Sequence, residues 1–145
     1  MSYQSWHNYG YGICTDPLEI ADVSRIKALL QCAPEYEKKA ERLLQERGIT
    51  DPDVDDYLEL EMSGCYGIAS LMEGVILEAE GLQFTACNNY ESTNYLLYMP
   101  TYPWYLNPKE QGLTEESIRQ IFAKYGSILS DEELEVEYQS VENGG

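Results

Sequence analysis

The chain has 145 residues, with 26 Asp and Glu against 9 Lys and Arg, a formal charge of −17 at pH 7 and a pI near 4.1. That balance argues against direct binding of DNA or RNA, which runs on Lys and Arg contacts to phosphate, and against docking on an anionic membrane. A composition of 43% hydrophobic and 12% aromatic residues is enough for a core, and the length fits one domain, residues 1–145, able to fold without a metal or disulfide.

The segment from Tyr3 to Thr15 is aromatic and punctuated by Gly10 and Gly12, which suits a strand or an ordered arm. Asp16-Pro17 has the cap-then-proline form and predicts a helical start, with Val23, Ile26, Leu29 and Leu30 on one face. Pro34 opens a second helix, with Tyr36, Ala40, Leu43 and Leu44 as its stripe and Gly48 as its stop. Asp51-Pro52 repeats the pattern and predicts a short acidic helix to about Met62. Ile68, Leu71, Met72, Val75, Ile76 and Ala79 follow the helical period as far as Gly81.

The period then becomes two. Leu82, Phe84 and Ala86 predict one strand, and residues 94–99 its hairpin partner across a loop of five or six residues. A loop rich in Tyr and Pro runs from Pro100 to Gly112. Thr114 caps a helix whose first turn carries Glu115 and Glu116, whose stripe is Ile118, Ile121, Phe122 and Tyr125, and whose expected end is Gly126. Leu134, Val136 and Tyr138 alternate with Glu135, Glu137 and Gln139 as a last strand. The expected class is α+β: a helical N-terminal half, then a small, mostly antiparallel β-β-α-β sheet with helices on one face.

Metal and catalytic motifs are weak. Cys14, Cys32, Cys65 and Cys87 form no close pair and read as reduced thiols. His7 is the single histidine and sits between Trp6 and Tyr9, a packing environment. Asp51, Asp53 and Asp55 open like a calcium loop, but Asp56 replaces the turn glycine and Met62 the bidentate glutamate. No Gly-rich phosphate loop is present. The expectation is therefore no catalytic residue, no metal and no cofactor. No secretory leader is read at the start and no run reaches the roughly 18 apolar residues of a membrane span, so the cytoplasm is the expected location.

The acidity falls in two unopposed blocks. No basic residue lies between Arg47 and Lys109, where Asp51, Asp53, Asp55, Asp56, Glu59, Glu61, Glu73, Glu78, Glu80 and Glu91 stand. None follows Lys124, where Asp131, Glu132, Glu133, Glu135, Glu137 and Glu142 stand. A folded chain of this mass exposes roughly 7,600 Å². Its charge averages about a quarter of the surface density of duplex DNA. Mimicry of a phosphate track would need both blocks on one face.

The opening Ser2 to Gly12 and the closing Tyr138 to Gly145 resemble a group of small acidic proteins of Gram-positive gut bacteria and their mobile elements. The resemblance implies a phage- or plasmid-borne accessory protein, a class that includes anti-CRISPR and anti-restriction inhibitors. The expected partner is then a basic nucleic-acid-handling protein, such as a CRISPR nuclease, whose groove the chain would block without enzymatic action. Candidate contacts are the carboxylates of Asp51, Asp53, Asp55, Asp56, Glu59, Glu61, Glu133, Glu135 and Glu137. Tyr98, Tyr102, Trp104 and Tyr105 are the aromatic anchors. The alternatives are an acidic interaction module whose charge only maintains solubility, and a small ligand-binding or enzymatic domain built on the aromatic loop.

Overall fold

A computed structural model describes residues 6–60, 67–89, 91–99 and 113–143. Among them the order is β1 (Trp6–Cys14), α1 (Val23–Leu30), α2 (Pro34–Glu46), α3 (Val54–Leu58), α4 (Ile68–Glu80), β2 (Thr85–Asn88), β3 (Asn94–Tyr98), α5 (Glu115–Leu129) and β4 (Glu137–Asn143). The class is α+β as expected. The four described strands form an antiparallel sheet in the order β2-β3-β1-β4. The aromatic opening segment is an inner strand: Tyr11 stands opposite Tyr98 of β3 on one side and Tyr138 of β4 on the other.

The sheet's helix-facing side supplies Ile13, Leu96 and Tyr98 to the main core. Phe84, just before β2, joins them and links sheet to helix, its ring centroid 5.2 Å from that of Phe122 in α5. The opposite side carries a second cluster, Cys87, Leu97 and Val141. Gly10 and Gly12 make that cluster possible. A Cβ on Gly12 would sit 2.1 Å from the Leu96 carbonyl oxygen and 2.7 Å from Leu97 Cδ2. The glycines leave a bare lane across β1, over which side chains of β3 and β4 meet. The sheet curls around this lane: β2 and β4 approach within 8 Å between Cα atoms although two strands separate them.

Helix α4 packs on β2, β3 and α2. Leu71, Met72, Val75 and Ile76 are buried as the period requires, and Ala69 and Ser70 are buried beside them. Ala79, expected in the stripe, is exposed at the outer end. Gly48 and Gly81 stop α2 and α4 with φ of 72° and 70°. Thr114 caps α5, accepting from the Ser117 N–H at 3.1 Å.

Four local expectations are corrected. Helix α1 starts at Val23 behind the cap Asp22, not at Asp16-Pro17. Asp16 instead accepts from the Asn94 N–H at 3.2 Å, tying the end of β1 to the start of β3. Helix α3 starts at Val54, because Asp53 and Asp56 cap each other's backbone as a capping box, each at 2.9 Å, and runs to Leu58, while the expected end near Met62 lies outside the described residues. Gly126 does not end α5, which continues to Leu129. It is a notch: a Cβ there would lie 2.1 Å from Leu134 Cδ1. Strand β4 starts at Glu137, since Leu134 and Val136 pack on the helices before the chain joins the sheet.

Candidate functional site

Much of the first acidic block is engaged within the fold. Helix α2 lacks a side-chain cap of its own, because Ala33 holds the cap position. Glu78 of α4 supplies one from a distance, accepting from the Glu35 N–H at 3.1 Å and the Tyr36 N–H at 2.8 Å. Its negative charge also suits the positive end of the α2 dipole. Glu73 accepts from the Ala86 N–H at 2.7 Å and so fixes β2 against α4. Glu80 accepts from the Tyr125 hydroxyl at 2.9 Å and from Lys124 Nζ at 3.2 Å, joining α4 to α5. Asp53 and Asp56 form the capping box. Asp51, Asp55 and Glu59 are exposed. Glu61 lies outside the described residues.

The second block is different. Asp131 pairs with Arg25 of α1 at 2.9 and 3.0 Å, an exposed pair that contributes little to stability. Glu132, Glu133, Glu135 and Glu137 are exposed, and none of them has a cationic partner. Leu134 and Val136, the alternate side chains, fold inward and hold this run against the core, so the intervening carboxylates face water. Beside it lies a cleft of about 270 Å³ lined by Pro17, Leu18 and Leu134 together with Glu132, Glu133 and Glu135. A second cleft of about 480 Å³ lies between the same segment and Arg119, Ala123 and Ser127 of α5. The run thus stands as an acidic ridge between two depressions. Arg119, across the second cleft, pairs with Glu115 at 2.8 Å and not with a carboxylate of the ridge.

Helix α1 lies between the two blocks. It packs on α5 and on α2 and α3. Arg25 reaches Asp131, whereas Lys27 lines a cleft with Tyr57 of α3. Two residues are about 200° around an α-helix. The carboxylates of α3 and those of residues 131–137 therefore occupy two flanks.

The aromatic half of the expected site is reduced. Tyr98 is 6% exposed and packs on Phe84 with ring centroids 5.4 Å apart, so it is a core residue and not an anchor for a partner. Period-two alternation explains why: Leu96 and Tyr98 share the helix-facing side. Tyr102, Trp104 and Tyr105 lie outside the described residues. Tyr138, which sequence reasoning assigned to an apolar strand face, is 58% exposed and meets Tyr11 edge-on at 5.6 Å. Tyr9, 46% exposed, precedes Tyr11 on the same side of β1, so an open tyrosine surface adjoins the acidic ridge along β4. Alternation alone places Tyr9 and Tyr11 on one side of β1; that Tyr138 joins them follows from the β1–β4 register, which sets it opposite Tyr11 on an edge strand.

Cys14 and Cys32 are free thiols, and no grouping of three metal-ligating side chains occurs among the described residues. No helix of the described residues is long and apolar enough to cross a membrane. Comparison with protein-family models, curated proteins and solved structures finds no match to this chain.

Proposed function

We propose that the protein is a non-enzymatic, acidic binding protein that engages a basic nucleic-acid-handling protein, with a CRISPR nuclease as the example its sequence resemblance suggests, and keeps nucleic acid from that partner's groove. One observation carries this reading: the unpaired carboxylates Glu132, Glu133, Glu135 and Glu137 stand together on one ridge beside an apolar-lined cleft. Lysine and arginine side chains match such a surface, with the charged head at the ridge and the aliphatic stem on Leu18 and Leu134. The exposed Tyr9 and Tyr138 add area with polar tips. The two flanks of α1 favour a local contact at residues 131–137 over a continuous phosphate-like track.

The test is a competition assay with a purified CRISPR nuclease and its DNA. Binding of the protein should fall as salt rises and should exclude DNA. Affinity that holds constant from low to high salt, or a ternary complex with DNA, would contradict the proposal.

A further inference from the structure

Helix α2 ends in a Schellman turn. The Gly48 N–H donates to the Gln45 carbonyl at 3.0 Å and the Ile49 N–H to the Leu44 carbonyl at 2.9 Å. This folds Ile49 back beside Leu44. Pro52 and the Asp53–Asp56 capping box then start α3 at once, which brings Tyr57 to the same place. The result is a cleft of about 460 Å³ lined by Leu44, Ile49, Pro52 and Tyr57, with Glu41 and Lys27 alongside. That volume is in the range of small-molecule sites.

Tyr57 is 5% exposed, and its hydroxyl has no hydrogen-bond partner in the protein. No buried side-chain oxygen or nitrogen cut off from solvent lacks a partner among the described residues, so this hydroxyl keeps an opening to solvent at the cleft. A phenol oxygen open at an apolar-lined cleft can accept from a ligand donor as it would from water. Burial first, and then the carboxylates of Glu41 and Glu37, raise the pKa of the phenol. Glu41 has no cationic partner.

We infer that this cleft binds a small organic monocation, a primary amine or guanidine on a short apolar body. The body lies on Leu44, Ile49 and Pro52. The cationic head meets Glu41 and donates a hydrogen bond to the Tyr57 oxygen. Lys27 at the same cleft disfavours a second positive charge, which selects against polyamines. The site lies across α1 from the Glu132–Glu137 ridge and does not depend on it.

The probe is 2-phenylethylamine, titrated by NMR and thermal shift beside 2-phenylethanol, phenylacetate and spermidine. The amine should give saturable amide shifts at Leu44, Ile49 and Tyr57, and the other three compounds should bind more weakly. Tyr57→Phe and Glu41→Gln should each weaken amine binding about tenfold. Gln45→Trp, at an exposed position lining the cleft, should remove binding while the fold persists. Glu132→Gln with Glu133→Gln should leave amine binding unchanged. The inference is overturned if the amine shows only linear, salt-erased shifts, if it binds Tyr57→Phe or Glu41→Gln as tightly as the parent, or if Gln45→Trp still binds it.

Discussion

Glu78, Glu80 and Glu73 show how much of a residue's role depends on what lies far away in sequence. Each read as part of an unopposed acidic run, and each is an acceptor for a distant donor in the fold. Nothing local signals this, because the partners lie 13 to 45 residues away. Glu78→Ala leaves two N–H groups of α2 without their acceptor and should cost about 1–2 kcal/mol in urea unfolding, more than the same change at Asp55. Tyr125 gives a pH test. Burial first, and then its hydrogen bond to Glu80, raise its pKa above the ordinary 10.0. The unfolded chain therefore loses this proton at lower pH than the folded one. The stabilisation is complete below pH 10.0 and is lost as pH rises through the folded value. Tyr57 carries a shift in the same direction, with burial as its largest cause. Denaturation followed from pH 8 to about 11 should show falling stability. Tyr125→Phe should flatten that fall, and an identical fall in the variant would contradict the assignment.

At the level of elements, helix stops and caps with local chemistry were legible in the sequence. Gly81, Gly48 and Thr114 act within one turn of themselves and stand where their residue types belong. Elements whose limits depend on packing were not. Gly126 resembles a helix stop because nothing in its neighbourhood reveals that Leu134 will occupy the notch it leaves. The aromatic segment of β1 was ambiguous because its two glycines argue against a strand until β3 is seen pressing on them. That contact has a consequence for mutation. Gly12→Val places side-chain atoms where the backbone of Leu96 and the side chain of Leu97 already lie. It should cost more than about 3 kcal/mol, or abolish folding, through overpacking and loss of β1–β3 pairing. Leu97→Ala, which only empties the second cluster, should cost about 2–4 kcal/mol in chemical denaturation and leave the sheet intact by circular dichroism.

For the whole molecule, a charge of −17 implies self-repulsion that opposes compaction. Screening should relieve it, so Tm should rise on going from about 10 to 150 mM salt. A falling Tm would mean that the four described ion pairs outweigh the repulsion. The sequence located two acidic blocks, but their meaning came from the fold. Structural hydrogen bonds absorb half of the first, whereas the second is lifted on a ridge by the inward turn of Leu134 and Val136. The central claim is that the ridge, and not total charge, recognises a basic partner. The direct measurement is the affinity for a purified CRISPR nuclease of two variants that each remove three charges. One carries Glu132→Gln, Glu133→Gln and Glu135→Gln; the other carries Asp51→Asn, Asp55→Asn and Glu59→Gln. The ridge variant should lose at least about tenfold, at roughly 0.5 kcal/mol or more per carboxylate, and the α3 variant less than about threefold. Equal losses would show that net charge alone drives binding, and would contradict the account.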